Sequence, residues 1–437
     1  MFSVMAGPMP HYTDTTKRFL LAAKYAEIAA LEQLAANCRL VISMTSLIHQ
    51  LQRERGASNV YLASQGQRFS NQLQAQHAQS IQAEDTLKSQ LNAMYLNDAE
   101  QAGNMRLLGS IAVALQGMDN VSFLRDQIKA TKISALASTQ AYCRLINSLL
   151  AVIFEAADVA GDPVITRRLV ALFNFIQGKE FAGQERAWGA IGFAETHFNT
   201  SLCERLEHLQ QQQQHHVDIF LEFCDEHARS LWQATQQSDA TQQQAKLRAM
   251  IKQLADGSPI DGQLSEIWYD VASSRIDGMQ NVEEWLTNEL ITLTAERLQQ
   301  AIKSLKNHKK LLQTLTEQAS AADRPLTVLF DPTVPGLQGS EGHRETTSPN
   351  NGLSAHRSFY DLLCEQSEHI RQMSSELDAA RQAINEQKTI DRAKLLLMQQ
   401  WQLTESQAYR RLQKHAMEQN LRIADIAGRV VNSTPAR

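Results

Sequence analysis

Two arginines stand where apolar residues belong. In "SLIHQLQRERGASNVYL" (Ser46–Leu62), Leu47, Ile48, Leu51 and Leu62 recur at helical spacing and continue a face begun by Met44. At ~100° per residue, Arg55 falls inside that stripe, about 40° from Leu51; Arg53 points away to solvent and Glu54 sits on the border. A second stripe, from Leu264 through Val271, Val282 and Leu286 to Leu293, encloses Arg275, with Gly278 beside it. A guanidinium cannot shed its charge by losing a proton, so each buried arginine needs an anion. Two anions are open: a carboxylate from another helix, or a small planar oxyanion held by Arg55 and Arg275 in one pocket. Gly56 permits a local distortion of the helix that frees backbone N–H groups beside Arg55. Lys179 and Arg186 lie near a third stripe, where Glu180 and Glu185 are close enough in sequence for ion pairing. His49 falls off the first stripe and reads as a surface residue.

Other chemistry is thinly represented. No nucleophile–base constellation, metal-ligand spacing or phosphate-cradling glycine loop is present, so the reading is of a non-enzyme without a cofactor. His215 and His216 follow the glutamine run Gln210–Gln214 without a third ligand at metal-site spacing, and read as a solvated helix face. Five scattered cysteines, an odd number without a Cys-x-x-Cys pair, suit reduced thiols in a cytoplasm.

Charge is distributed unevenly. The chain carries a net −5, yet Lys388–Arg437 holds nine Lys/Arg against four Asp/Glu. A basic tail on an acidic body points to a polyanionic partner for the tail. Within it Arg392, Lys394, Arg410, Arg411, Lys414, Arg422 and Arg429 are candidate phosphate contacts; Tyr409 and His415 are candidate stacking groups for an unpaired base. Any one of these charges alone would be an ordinary solvated side chain.

The elements that must position these groups are helices. Ala, Leu and Gln are abundant, while nine prolines and nineteen glycines are few for 437 residues. Helical periodicity marks residues 15–37, 40–64, 70–96, 103–129, 131–156, 164–189, 199–237, 242–256 and 264–310; "LTVLFD" (Leu326–Asp331) is the sole strand candidate. A faint echo between "LIHQLQRERGA" and "LFNFIQGKEFA" suggests two stacked four-helix bundles. Residues 326–356, rich in Pro, Gly, Ser and Asn, read as a linker between 1–325 and 357–437. Leu363, Ile370, Leu377 and Ile384 then recur every seven residues, with Met373 and Ala380 in the second seam; the pattern suits a coiled coil in a homodimer, or a helix docked on its own chain. Thr404 caps a helix beginning near Glu405, and a third follows from about Arg422, closing a three-helix unit. No apolar run reaches the ~18–20 residues of a membrane span, and no secretory leader is evident, so the expectation is a cytoplasmic protein with no membrane partner.

Two family resemblances sharpen these readings. The pattern Ile390-Asp391-x-Ala393-Lys394-x-x-Leu397-Met398, then Glu405-x-x-Ala408-Tyr409-x-x-Leu412, Ala416-Met417 and Ile426-Ala427 resembles the ANTAR domain. That resemblance implies binding to leader-RNA stem-loops in transcription antitermination, and so an indirect link to the transcribing RNA polymerase. "LQRERGASNVYL", "LFNFIQGKEFAGQERAWGAIGF" and "SSRIDGMQNVEEWL" resemble the NIT domain, an all-helical nitrate and nitrite sensor. It implies two four-helix bundles with the anion between them, a ligand arginine at Arg55 beside Gly56, and a second at Arg275. The combined expectation is an all-α, nitrate- or nitrite-responsive antiterminator whose basic module is masked by the acidic body at rest. Its rivals are a DNA-binding regulator with a helical anion sensor and a ligand-free coiled-coil scaffold.

Overall fold

The computed structural model describes residues 12–96, 105–158, 161–194, 197–253, 264–318, 353–403 and 405–433, and every regular element among them is a helix. In chain order these are α1 (Tyr12–Ala63), α2 (Ser70–Tyr95), α3 (Met105–Asp119), α4 (Val121–Lys129), α5 (Ala135–Asp158), α6 (Pro163–Ala194) and α7 (Thr200–Phe223). They continue with α8 (Glu226–Gln237), α9 (Asp239–Gln253), α10 (Leu264–Gln318), α11 (Leu353–Trp401), α12 (Glu405–Gln419) and α13 (Ile423–Ser433). The strand candidate at 326–331, most of the linker and Thr404 lie outside the described residues. So do the side chains of Leu363, Ile370, Met373 and Ala380.

Three expected boundaries differ. The two helices expected over 15–64 are one, because nothing between Asn37 and Leu40 breaks a helix. The helix expected over 103–129 is interrupted at Asn120. The helix expected over 199–237 ends at Cys224, whose extended backbone hands over to Asp225; that carboxylate caps α8 by accepting from Ala228 N at 2.5 Å. Met105–Lys129 is long and apolar enough by composition to cross a membrane, with mean hydropathy 1.3. It is broken at Asn120, and α3 buries Leu107, Ile111, Ala114 and Met118.

The chain divides into two compact units. The first comprises Met1–Ala35, Gly161–Pro163 and Leu293–Asp378; in it Arg297 pairs with Asp162 at 3.7 Å, and Ala301 and Leu305 are buried.

The second comprises Ala36–Ala160, Val164–Thr292 and Ala379–Arg437, and holds every site residue named above. Its α1 segment buries Leu40, Met44, Leu47, Ile48 and Leu51, the stripe expected from periodicity. Around Glu54 four helices converge: Arg125 of α4 donates to it at 2.7 and 2.9 Å and to Glu84 of α2 at 2.6 Å, while Tyr142 of α5 donates at 2.7 Å. Glu54 is therefore fully buried rather than at a border. Further along, Phe193, Phe198, Leu206, Leu247, Ile251 and Trp268 join α6, α7, α9 and α10 with the turn before α7. A third core, including Ala393, Leu397, Ala408, Leu412, Ala416 and Ala427, closes α11, α12 and α13 into the expected three-helix module. Ile384, expected in a coiled-coil seam, is buried among Phe154, Ala157, Val170 and Ile219 of the same chain.

Candidate anion and nucleic-acid sites

Arg55 is fully buried, as the wheel requires, and Arg53 is exposed. Its Nη1 and Nη2 donate to the two carboxylate oxygens of Glu180 on α6, at 2.5 and 3.1 Å. Nη1 also lies 3.1 Å from Cys143 Sγ. Gln52 and Gln184 donate to the same carboxylate at 2.9 and 3.0 Å. The fit is close: a Cβ at Gly183 would come within 2.5 Å of Arg55 Nη2. Burial disfavours the charged guanidinium, but Glu180 and Cys143 outweigh it and hold its pKa above the ordinary value. Of the two anions open to Arg55, the fold supplies a carboxylate. Arg55 Nε has no hydrogen-bond partner among the described residues.

Arg275 differs. It is 6% exposed, its Nη1 donates to Gln213 Oε1 of α7 at 3.1 Å, and its Nε has no partner among the described residues. Glu185 acts on it electrostatically but is ligated by Arg248, at 2.7 and 2.5 Å, and by Gln210 and Gln213. Burial, then repulsion from Arg248, pushes the Arg275 pKa down to about 10. It is a buried cation with no carboxylate contact among the described residues. Arg55 and Arg275 share no hydrogen-bond partner among the described residues, although both networks run through α6, at Glu180 and Glu185.

Several expectations along α6 are corrected. Lys179 pairs with neither Glu180 nor Glu185. Its ammonium meets Glu283 at 3.1 Å, Gln280, and Nδ1 of His49 at 3.1 Å. His49 is accordingly half-buried rather than a surface residue, and burial followed by Lys179 drives its pKa to about 3. Arg186 makes no ion pair among the described residues; it donates to Ser273 Oγ and the Gln52 carbonyl and stacks over Tyr269. Gly56 does not distort α1, which runs unbroken through it. Its role is space: a Cβ there would meet Arg186 Nη2 at 2.6 Å and Tyr269 Oη at 2.9 Å.

The glutamine- and histidine-rich segment is also corrected. Gln212, Gln213 and His216 are buried; Gln213 serves Glu185 and Arg275, and His216 Nδ1 lies 2.8 Å from Asn174 Oδ1, whereas Gln212 Nε2 has no hydrogen-bond partner among the described residues. Composition concealed this face, since glutamine signals neither core nor charge.

The C-terminal module sits against α7. Tyr409 is 5% exposed and packs against His208 and His215, with ring centroids 5.8 and 6.5 Å away, so it is not presented for stacking. Arg410 approaches Glu204 and Glu207 of α7 at 3.6 and 3.9 Å. Lys394 is held by Asp391 and Glu405, Arg422 by Glu386 and Asp425, and Arg429 by Gln419. Lys414 and His415 lie near Glu418, Arg392 is exposed, and Arg411 covers the ring of Trp401. One helix thus carries both contacts: α7 offers Gln213 to Arg275, and His208, Glu204 and Glu207 to α12.

Comparison with known proteins places two families on this geometry. The family described as nitrate and nitrite sensing (NIT) matches residues 46–291, and the ANTAR domain matches residues 378–431. The chain is similar to the nitrate regulatory protein of Klebsiella oxytoca, at 29% identity over 426 residues, covering 97% of this chain and 95% of the relative. It is also similar to the solved structure of the NasR transcription antiterminator, with TM-score 0.57 and 26% identity, covering 97% of this chain and 99% of that one.

Proposed function

Because the chain belongs to the nitrate- and nitrite-sensing NIT family and carries an ANTAR domain, we propose that it is a nitrate- or nitrite-responsive transcription antiterminator. It acts by binding leader-RNA stem-loops, so that the terminator is not formed ahead of the transcribing RNA polymerase. The regions divide the work: 1–325 sense the anion, 326–356 link, and 357–437 bind RNA. Its role is regulatory rather than catalytic, in the cytoplasm, without a cofactor beyond the signal anion, and as a homodimer.

The observation that carries this reading is the position of α7 between the two sites. Gln213 contacts Arg275, a buried guanidinium with no carboxylate contact among the described residues, while His208, Glu204 and Glu207 hold Tyr409 and Arg410. An anion bound through Arg55, beside Gly56, and Arg275 supplies the missing negative charge. Repacking of Gln213 then shifts α7, and the module is released. A ligand moves such an equilibrium only through different affinity for the docked and released states. Among the candidate RNA contacts, Arg392, Lys414, Arg422 and Arg429 are exposed and Arg411 is half-buried; Lys394, Tyr409 and Arg410 become available as their present partners yield.

The test is nitrate titration of the wild type beside Arg55→Ala and Arg275→Ala, with hairpin-RNA affinity measured at fixed salt with and without nitrate. Nitrate-dependent RNA binding in the wild type and its loss in both variants is the expected result. Equal nitrate binding by all three removes the proposed pocket. A preference for duplex DNA over hairpin RNA favours instead a DNA-binding regulator with the same sensor.

A further inference from the structure

The three-helix module closes around one core and leaves Leu395, Met417 and Trp401 exposed, Trp401 by 53% at the end of α11. The helix stops there because Gln402 adopts a left-handed backbone, φ 51°, placing the indole at a corner between α11 and α12. Arg411 of α12 lies over that ring, its guanidinium carbon 4.3 Å from the centroid. Arg411 makes no ion pair among the described residues, whereas Lys394, Arg410 and Arg422 each do.

We propose that Trp401 and Arg411 form a stacking platform for an unpaired base of the RNA; the proposal rests on the RNA-binding reading above. An indole is the strongest cation–π partner for a guanidinium, and the pair presents a flat, positively charged, partly apolar surface. Single-stranded loops are recognised in this way, by splayed bases laid on aromatic rings or guanidinium planes. A duplex offers no such base, so the platform confers selectivity for loops over continuous helix. Tyr409, the aromatic first suggested by the sequence, is occupied by His208 and His215; Trp401 is already exposed in the docked arrangement.

The experiment uses the full chain in saturating nitrate. A hairpin RNA selected on the wild type from a randomised-loop library carries 2-aminopurine in its loop, and the same stem closed as a continuous duplex is the control. Trp401→Ala is expected to weaken hairpin binding by about tenfold or more, with the salt dependence unchanged, because an uncharged contact is lost. Trp401→Phe retains most of the affinity. Arg411→Ala weakens hairpin binding and flattens the salt dependence. Duplex affinity and the melting temperature stay near wild type in Trp401→Ala. Equal hairpin affinity in wild type and Trp401→Ala overturns the platform, as does parallel loss of hairpin and duplex binding or of folding in both Trp401 variants. A wild type that retains no hairpin from the library overturns the RNA reading itself, and the platform with it.

Discussion

Arg55 and Glu180 form a bidentate ion pair in which neither side chain is exposed, joining α1 to α6 across 125 residues of sequence. The carboxylate offers the guanidinium two coplanar oxygens, the same edge that nitrate offers. Glu180 is therefore an internal competitor for any planar oxyanion that reaches Arg55.

Glu180→Gln tests this competition. Removing the negative charge leaves Arg55 buried without its counter-ion, at a cost of about 3–5 kcal/mol in the nitrate-free protein. The same change tightens nitrate binding in calorimetry, because the anion no longer displaces a carboxylate. Loss of nitrate binding in this variant instead makes Glu180 a support of the site and not a rival.

Arg275→Met separates binding from stability in the opposite sense. Deleting a buried guanidinium that has no carboxylate contact among the described residues raises the melting temperature of the nitrate-free protein, by about 1 kcal/mol of stability. Gln213 Oε1 keeps a donor, since Arg248 Nη2 lies 3.2 Å away. Saturating nitrate, which adds ~2.7 kcal/mol to the wild type at 100 times its Kd, adds nothing here. Differential scanning with and without nitrate checks both signs.

The contact between sensor and RNA module is pH-sensitive at His208. Burial holds its imidazole pKa down to about 4; Glu405 opposes this, and Lys394, Arg410 and Arg205 reinforce it. The unfolded chain titrates near the ordinary 6.5 and binds a proton in this window that the folded chain does not. The contribution is thus complete above pH 6.5 and is lost as pH falls toward 4, on the order of 1 kcal/mol by pH 5. Denaturant unfolding from pH 7 to 5 shows this slope, and His208→Gln reduces it, leaving the part due to His49, His77, His215 and His216, whose pKa values burial also lowers.

Arg410 bears on the docked state through Glu204 and Glu207. These exposed pairs are worth less than ~1 kcal/mol each. Glu204→Lys with Glu207→Lys therefore raises nitrate-free RNA affinity only a few-fold, measured by filter binding, and leaves the nitrate-saturated affinity nearly unchanged.

Gly56→Ala places a methyl against Arg186 Nη2 and Tyr269 Oη. Both are side-chain ends, so the expected loss is ~1–3 kcal/mol of stability, read from the denaturation midpoint.

What the sequence determined by itself is local. Periodicity alone put Arg55 inside and Arg53 outside, because the face of a helix follows from its ~3.6-residue repeat. The core of the C-terminal module was legible for the same reason, in Ala393, Leu397, Ala408 and Leu412. Tertiary structure decided the partners. Arg55 meets Glu180 and Arg275 meets Gln213 across long gaps in the chain, and no wheel reports which helix lies opposite. The part played by Gln213 was hidden because its amide has charges to satisfy only once other helices bring Glu185 and Arg275 to it. Tyr409 was read as an RNA contact because the module's sequence carries no trace of α7, which covers it; that contact exists only once the two are folded together.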